Sequence, residues 1–286
     1  MKIALRRLRD GLFAGRIHVA MILLLIPMIS ILSPQAEAQS LITSESSIED
    51  LQKQLVNADE AFRSGKLTEE ERARAAQDGE QAVSLLIAKA AKEGQDWKRI
   101  GVFFHDRGYF RQMCDLWADR LPDILDQKSA WHTSLGLWYL SGARRYVGDW
   151  TGALEVLEEM DKTAARDGLE DEERAACRKV ALSERIRYWL AVGEYEQAVA
   201  LLPCYEELDR KWPDRPEVRL DLVVRVQGSS GNPRAALEEF EAFLAGGGFL
   251  SPTLSLMRAG YGLAVASFEN VDLAPWISAL REALAS

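Results

Sequence analysis

The sequence predicts an all-α fold, a solenoid of about six helical hairpins behind a cleaved leader. Three observations carry this. A turn glycine is followed five residues later by a compact apolar residue and nine residues later by a larger one: Gly148, Ala153 and Leu157; Gly193, Ala198 and Leu202; Gly231, Ala236 and Phe240; less cleanly, Gly108, Met113 and Trp117. These glycines stand 40, 45 and 38 residues apart, a period that marks stacked helical hairpins. No stretch alternates apolar and polar residues as a half-buried strand would, whereas apolar residues recur at steps of three and four.

The spacing has a physical reason. The glycine ends one helix in a left-handed conformation that other residues enter only at a cost. The alanine lies one turn into the next helix, where a small side chain lets two helices approach. The larger residue four positions on shares that face and fills the core.

The chain begins with an address. Lys2, Arg6, Arg7, Arg9 and Arg16 form a basic region, residues 19–32 an apolar core interrupted by Pro27, and Ala36-Glu37-Ala38 a small-x-small cleavage site. The apolar run is short of the roughly 20 residues that span a bilayer. Residues 1–38 therefore read as a signal peptide, and the mature chain as periplasmic or secreted. A retained membrane anchor is the alternative. That segment holds five of the 35 basic residues and two of the 44 acidic ones, which leaves 248 residues at net −12. Such a charge disfavours nucleic acid as a partner.

Residues 39–46 read as a disordered linker and 47–93 as an atypical first hairpin. Ser46 to Glu49 is the spacing of a capping box, followed by an apolar stripe of Ile48, Leu51, Leu55, Ala58 and Phe62. Gly65 ends that helix. Thr68 to Glu71 opens a second, with Val83, Leu86, Ile87 and Ala90 as its stripe. Residues 94–246 form the repeats proper. Their helices are expected near 95–107 and 109–125, 129–146 and 150–166, 170–191 and 195–211, and 216–228 and 233–246. Asn232-Pro233 is a cap followed by proline at the first helical position. Gly246-Gly247-Gly248 is the strongest breaker and reads as a linker. Residues 247–286 form a capping hairpin. Ser251-Pro252 starts a helix that runs to about Phe268, and the last helix carries Trp276, Ile277, Leu280 and Leu284.

Trp97, Ile100, Gly101 and Phe104, running into Gly108, stand where tetratricopeptide repeats place Trp, Leu, Gly and Tyr. Leu137, Leu140 and Ser141 precede Gly148, Trp189 precedes Gly193, and Leu220 and Val223 precede Gly231. Over roughly residues 94–245 the chain resembles that family. The usual closing proline is missing, and Arg144, Arg185 and Gln227 replace expected apolar or aromatic types. The resemblance implies a TPR-like superhelix whose groove binds a protein or peptide, a scaffold or adaptor without a cofactor.

Residues that could do chemistry are sparse. After the leader only His105 and His132 remain, and no zinc-protease, paired-cysteine, serine-elbow or phosphate-loop motif occurs. Neither catalytic residues nor metal ligands are expected. Glu69-Glu70-Glu71 and Glu170-Asp171-Glu172-Glu173 open helices, where negative charge offsets the macrodipole. Trp97, Trp117 and Trp189 fall on core positions. Cys177 and Cys204 flank Gly193 and could bridge, or remain free and buried. The runner-up reading is an α-helical envelope enzyme acting on polysaccharide, which incubation with cell-wall and polysaccharide substrates would separate from a scaffold.

The register of the resembled family places Lys98 and His105, Trp138 and Arg145, Arg187, and Arg225 on the inward faces of successive first helices. A basic strip in an acidic chain would focus field on the groove, and arginine can grip a carboxylate through two parallel hydrogen bonds. The expected partner is then an acidic or C-terminal segment of an envelope protein. The competing reading pairs these arginines with neighbours such as Glu184 and Asp221.

Overall fold

The computed structural model describes residues 46–64, 66–92, 96–213 and 215–285; the leader and the expected linker up to residue 45 lie outside them. The described residues are helical throughout, with no strand among them. They fall into two compact units, 46–123 and 124–285, so the division runs inside the expected repeat block of 94–246.

The smaller unit contains α1 (Ile48–Arg63), α2 (Glu69–Lys92), α3 (Asp96–Asp106) and α4 (Phe110–Trp117), followed by a 3-10 turn (Ala118–Arg120). The capping box of α1 is displaced by one residue from the expected one. Ser47 accepts from the Asp50 amide at 3.1 Å, and the Asp50 carboxylate accepts from the Ser47 amide at 3.3 Å. A carboxylate three residues after the serine is what closes the box, and Asp50 supplies it for Ser47 as Glu49 would have for Ser46. At α2 the box is where the spacing puts it: Glu71 accepts from the Thr68 amide at 2.8 Å. Ile48, Leu51, Leu55 and Ala58 are buried, while Phe62 is 53% exposed and leaves the stripe. Ala82, Leu86 and Ala90 form the most buried line of α2, one residue off the expected Val83.

The expected helix over 109–125 is broken instead into α4, the 3-10 turn and α5 (Leu121–Leu125). Pro122 explains this. It has no N–H to give to the carbonyl of Ala118, so the α ladder cannot continue through it.

The larger unit is a series of hairpins: α6 (Ala130–Tyr146) with α7 (Trp150–Ala164), α8 (Asp171–Val192) with α9 (Tyr195–Lys211), α10 (Pro216–Ser229) with α11 (Pro233–Ala245), and α12 (Pro252–Glu269) with α13 (Ala274–Ala285). Helix α8 packs on α6 and α7, α10 packs on α8 and α9, and α12 packs on α11. Three core clusters of this unit each draw on three helices. Ala130, Ala164 and Cys177 join α6, α7 and α8. Ile186, Ala198, Leu202, Tyr205 and Val223 join α8, α9 and α10. Leu220, Val224, Ala236, Phe240 and Leu254 join α10, α11 and α12.

The triplet does in the fold what its chemistry implied. Gly108, Gly148, Gly193 and Gly231 have φ of 81°, 82°, 84° and 86°. Ala153, Ala198 and Ala236 are fully buried, and Leu157, Leu202 and Phe240 lie beside them in the core. Replacing Ala153 by leucine is expected to cost about 1–3 kcal/mol by overpacking, read as a lower urea midpoint with unchanged slope. The caps follow the sequence too. Asn232 accepts from the Ala235 amide at 3.2 Å and Ser251 from the Leu254 amide at 3.3 Å, each with proline at the first helical position.

Candidate functional site

The six candidate groove residues divide between the two units. In the smaller one, Lys98 is exposed on α3, with its ammonium 5.4 Å from the ring centre of neighbouring Trp97. His105 is half-buried, its Nδ1 3.4 Å from Asp106 and its ring edge-on to Phe110 at 5.4 Å.

In the larger unit the arginines meet carboxylates. Arg145 on α6 reaches across to Glu184 on α8, with Nε at 3.2 Å and Nη2 at 2.9 Å from the same oxygen. Arg187 holds the other oxygen of Glu184 at 3.7 Å and donates to Ser183 Oγ at 3.3 Å. Glu184 is only 1% exposed, so one buried carboxylate is shared by two guanidinium groups. Arg225 donates through Nε to Asp221, one turn earlier on α10, at 2.7 Å. The phenol of Tyr261 on α12 senses that pair, and its pKa is pushed up to about 12, chiefly by burial. The pairs with Glu184 and Asp221 that the competing reading named are formed, so each of the three arginines has a carboxylate within 4 Å.

Arginines bridge other helices of this unit as well. Arg185 meets Asp161 on α7, Arg219 reaches Glu206 on α9 at 3.1 Å and Glu239 on α11 at 3.2 Å, and Arg258 binds Glu241 at 2.7 Å. Lys179, with 6% of its surface exposed, lies 3.4 Å from Asp209 and also donates to the Trp212 carbonyl.

Trp138 is half-buried, its ring 4.8 Å from that of Tyr139 and nearly perpendicular to it. It is not alone on its face. Trp131, Leu135 and Trp138 follow at steps of four and three, so they lie in line along α6. Trp131 is 40% and Leu135 37% exposed. The buried side of the same helix combines Leu137 and Leu140 with the smaller Ala130, Thr133, Ser134, Ser141, Gly142 and Ala143. Helix α6 thus carries large apolar residues on two sides: Leu137 and Leu140 in the core, and Trp131, Leu135 and Trp138 along a line that stays partly exposed. Sequence reasoning missed Trp131 and Leu135 because α6 carries large apolar residues and hydroxyl groups on more than one side. The signal was the row of small residues at 130, 133, 134 and 141, which with Leu137 and Leu140 marks the packed side and leaves Trp131, Leu135 and Trp138 off it.

One end of this line is acidic. Glu173, from the first turn of α8, accepts from Ser129 Oγ at 3.2 Å and from the Trp131 amide at 3.1 Å, capping α6 from outside. Trp131, Glu170, Glu172, Glu173 and Ala176 line a shallow cleft.

Cys177, buried, and Cys204, exposed, do not bridge, and Cys114 is half-buried. Burial pushes the Cys177 thiol above its usual range. The expected core tryptophans are in place, with Trp97 at 3% and Trp117 at 2% exposure and Trp189 packed against the α8–α10 cluster. No described helix is long and apolar enough to cross a membrane. No protein-family description, curated protein or solved structure matches the chain, so its likeness to tetratricopeptide repeats rests on the residues quoted above.

Proposed function

We propose that this chain is an exported, TPR-like scaffold or adaptor that holds a segment of another envelope protein along the outward face of α6. What supports the reading is the line of Trp131, Leu135 and Trp138, which stays partly exposed along that helix. Leu137 and Leu140 already fill its core side, so packing alone does not call for three more large apolar residues on the other. A contiguous exposed apolar line is a mark of an interaction surface, and a partner is the simplest reason for it. Tryptophan is also the residue type that most often anchors an interface. Arginine carries five N–H donors, so Arg187 and Arg225 can add a charged contact to an acidic or C-terminal segment of the partner while keeping their own carboxylates.

The test is photo-crosslinking in the expressing cell, with the reactive residue placed at 131 or 138 and, as control, at Val199, which is 43% exposed on α9. The same partner should be captured from both α6 positions and not from 199. The captured chain should begin at Gln39. Once the partner is purified, Trp131→Ala combined with Trp138→Ala should weaken binding at least about 30-fold, the loss of a central aromatic anchor. Equal capture from position 199, or an unprocessed N-terminus, would overturn the corresponding half of the proposal.

A further inference from the structure

The C-terminal hairpin differs from the others in what it leaves uncovered. Helix α13 packs on α12 through Trp276, whose ring lies against Gly262, yet none of its residues is fully buried. Leu273, Ile277 and Leu284 are each 38% exposed, and Leu280 lies between them half-buried. Steps of four, three and four make these residues one seam on one side of the helix, the spacing of a two-helix contact. At the turn between α12 and α13, Phe268 is 63% and Val271 53% exposed.

Charge says what fits there. The chain is acidic overall, but residues 247–286 contain only Arg258, Arg281, Glu269, Asp272 and Glu282 as charged side chains. Arg258 is bound to Glu241 and stacked 5.3 Å from Trp276, and Glu269 is bound to Arg234. Helix α13 is left with one arginine and one glutamate of its own. A second acidic chain can approach it while meeting little like charge, Asp272 and Glu282 beside Arg281.

We propose that this hairpin is a self-association surface, and that its occupant is the same hairpin of a second copy in a two-fold arrangement. An isologous contact needs one patch that complements itself, and an apolar, near-neutral seam does so. Helix α13 is about 18 Å long, too small alone for the roughly 800 Å² that each partner gives to a standard interface. Phe268 and Val271 therefore belong to the contact, and the dimer is a weak one. The inference is independent of the α6 face.

Light scattering and sedimentation of the purified chain across about 10–500 μM, a range suited to weak association, test it. The mass should rise from one chain to two. Raising NaCl should hold or tighten the dimer, because salt screens repulsion between the acidic bodies without weakening apolar burial. Ile277→Glu with Leu284→Glu should keep the chain monomeric over the whole range, and so should Phe268→Ser with Ile277→Gln, a milder pair. Val199→Glu should leave dimerisation unchanged, and all variants should keep the wild-type melting curve. A wild-type chain that stays monomeric at the highest concentration, a dimer that dissolves in salt, or a dimer that survives both paired variants would overturn the proposal. Crosslinking through position 277 to a different protein in a monomeric wild type would do the same.

Discussion

Glu184→Ala is expected to cost about 3–5 kcal/mol, the range for removing one partner of a buried ion pair. The carboxylate is almost inaccessible and is held from α6 by Arg145 and from its own helix by Arg187. Without it, two guanidinium groups with only 14% and 21% of their side-chain surface exposed face each other with no counter-charge. The transition of the larger unit should fall by roughly 6–20 °C, taking about 2–4 °C per kcal/mol for a domain of this size. Glu184→Gln keeps the shape and one acceptor and should lose less. A loss below about 1 kcal/mol in the alanine variant would mean that water replaces the carboxylate and that the pair behaves as a surface one. The geometry also bears on how a binding face can be probed. Arg145→Glu would set a second carboxylate against Glu184, so charge reversal there would damage the α6–α8 crossing before it reported on any partner.

The second large effect is expected at Gly101. A methyl group there would lie 1.9 Å from the indole nitrogen of Trp117 and 2.4 Å from its Cε2. Trp117 has nowhere to retreat: it is buried, its N–H donates to the Trp97 carbonyl at 3.1 Å, and its ring meets Trp97 edge-on at 5.3 Å. Glycine to alanine within a helix ordinarily stabilises by about 1 kcal/mol. Here overpacking and the loss of a buried hydrogen bond should reverse the sign, to a loss of about 2–4 kcal/mol. Gly79→Ala is the internal control. Its methyl would meet Ala58 and Leu55 at 3.6 and 3.7 Å, ordinary contact, so the usual gain should appear. Urea unfolding of the two variants should move in opposite directions. Movement in the same direction would show that Trp117 does not bear on Gly101.

Positions governed by local rules were legible in the chain, and positions governed by distant neighbours were not. A left-handed glycine, a proline after an asparagine cap and an alanine five residues past a turn each act within one or two helical turns. Reading them gave the hairpins and most helix ends. Pro122 was equally legible, and treating 109–125 as one helix overlooked its missing N–H. The partner of Arg145 was a different matter. It lies 39 residues away, and only the packing of α8 on α6 brings it near. For α6 itself, polar residues lie on both sides, with His132 exposed and Thr133, Ser134 and Ser141 buried, so polarity does not orient it and its line of Trp131, Leu135 and Trp138 emerged only from the packing.

One residue shows how the sequence signature and the architecture can part company. Asn270 ends α12 at φ 53°, in the left-handed conformation that glycine takes at the other turns, and its amide closes on the Ala266 carbonyl. A methyl group on Gly148, Gly193 or Gly231 would meet nothing within 4 Å. Asparagine enters that conformation more readily than other residues with a side chain. Drift from glycine to asparagine is thus open at each turn separately, at the cost of backbone strain alone. A descendant could lose every turn glycine that defines the period and still fold into the same hairpins.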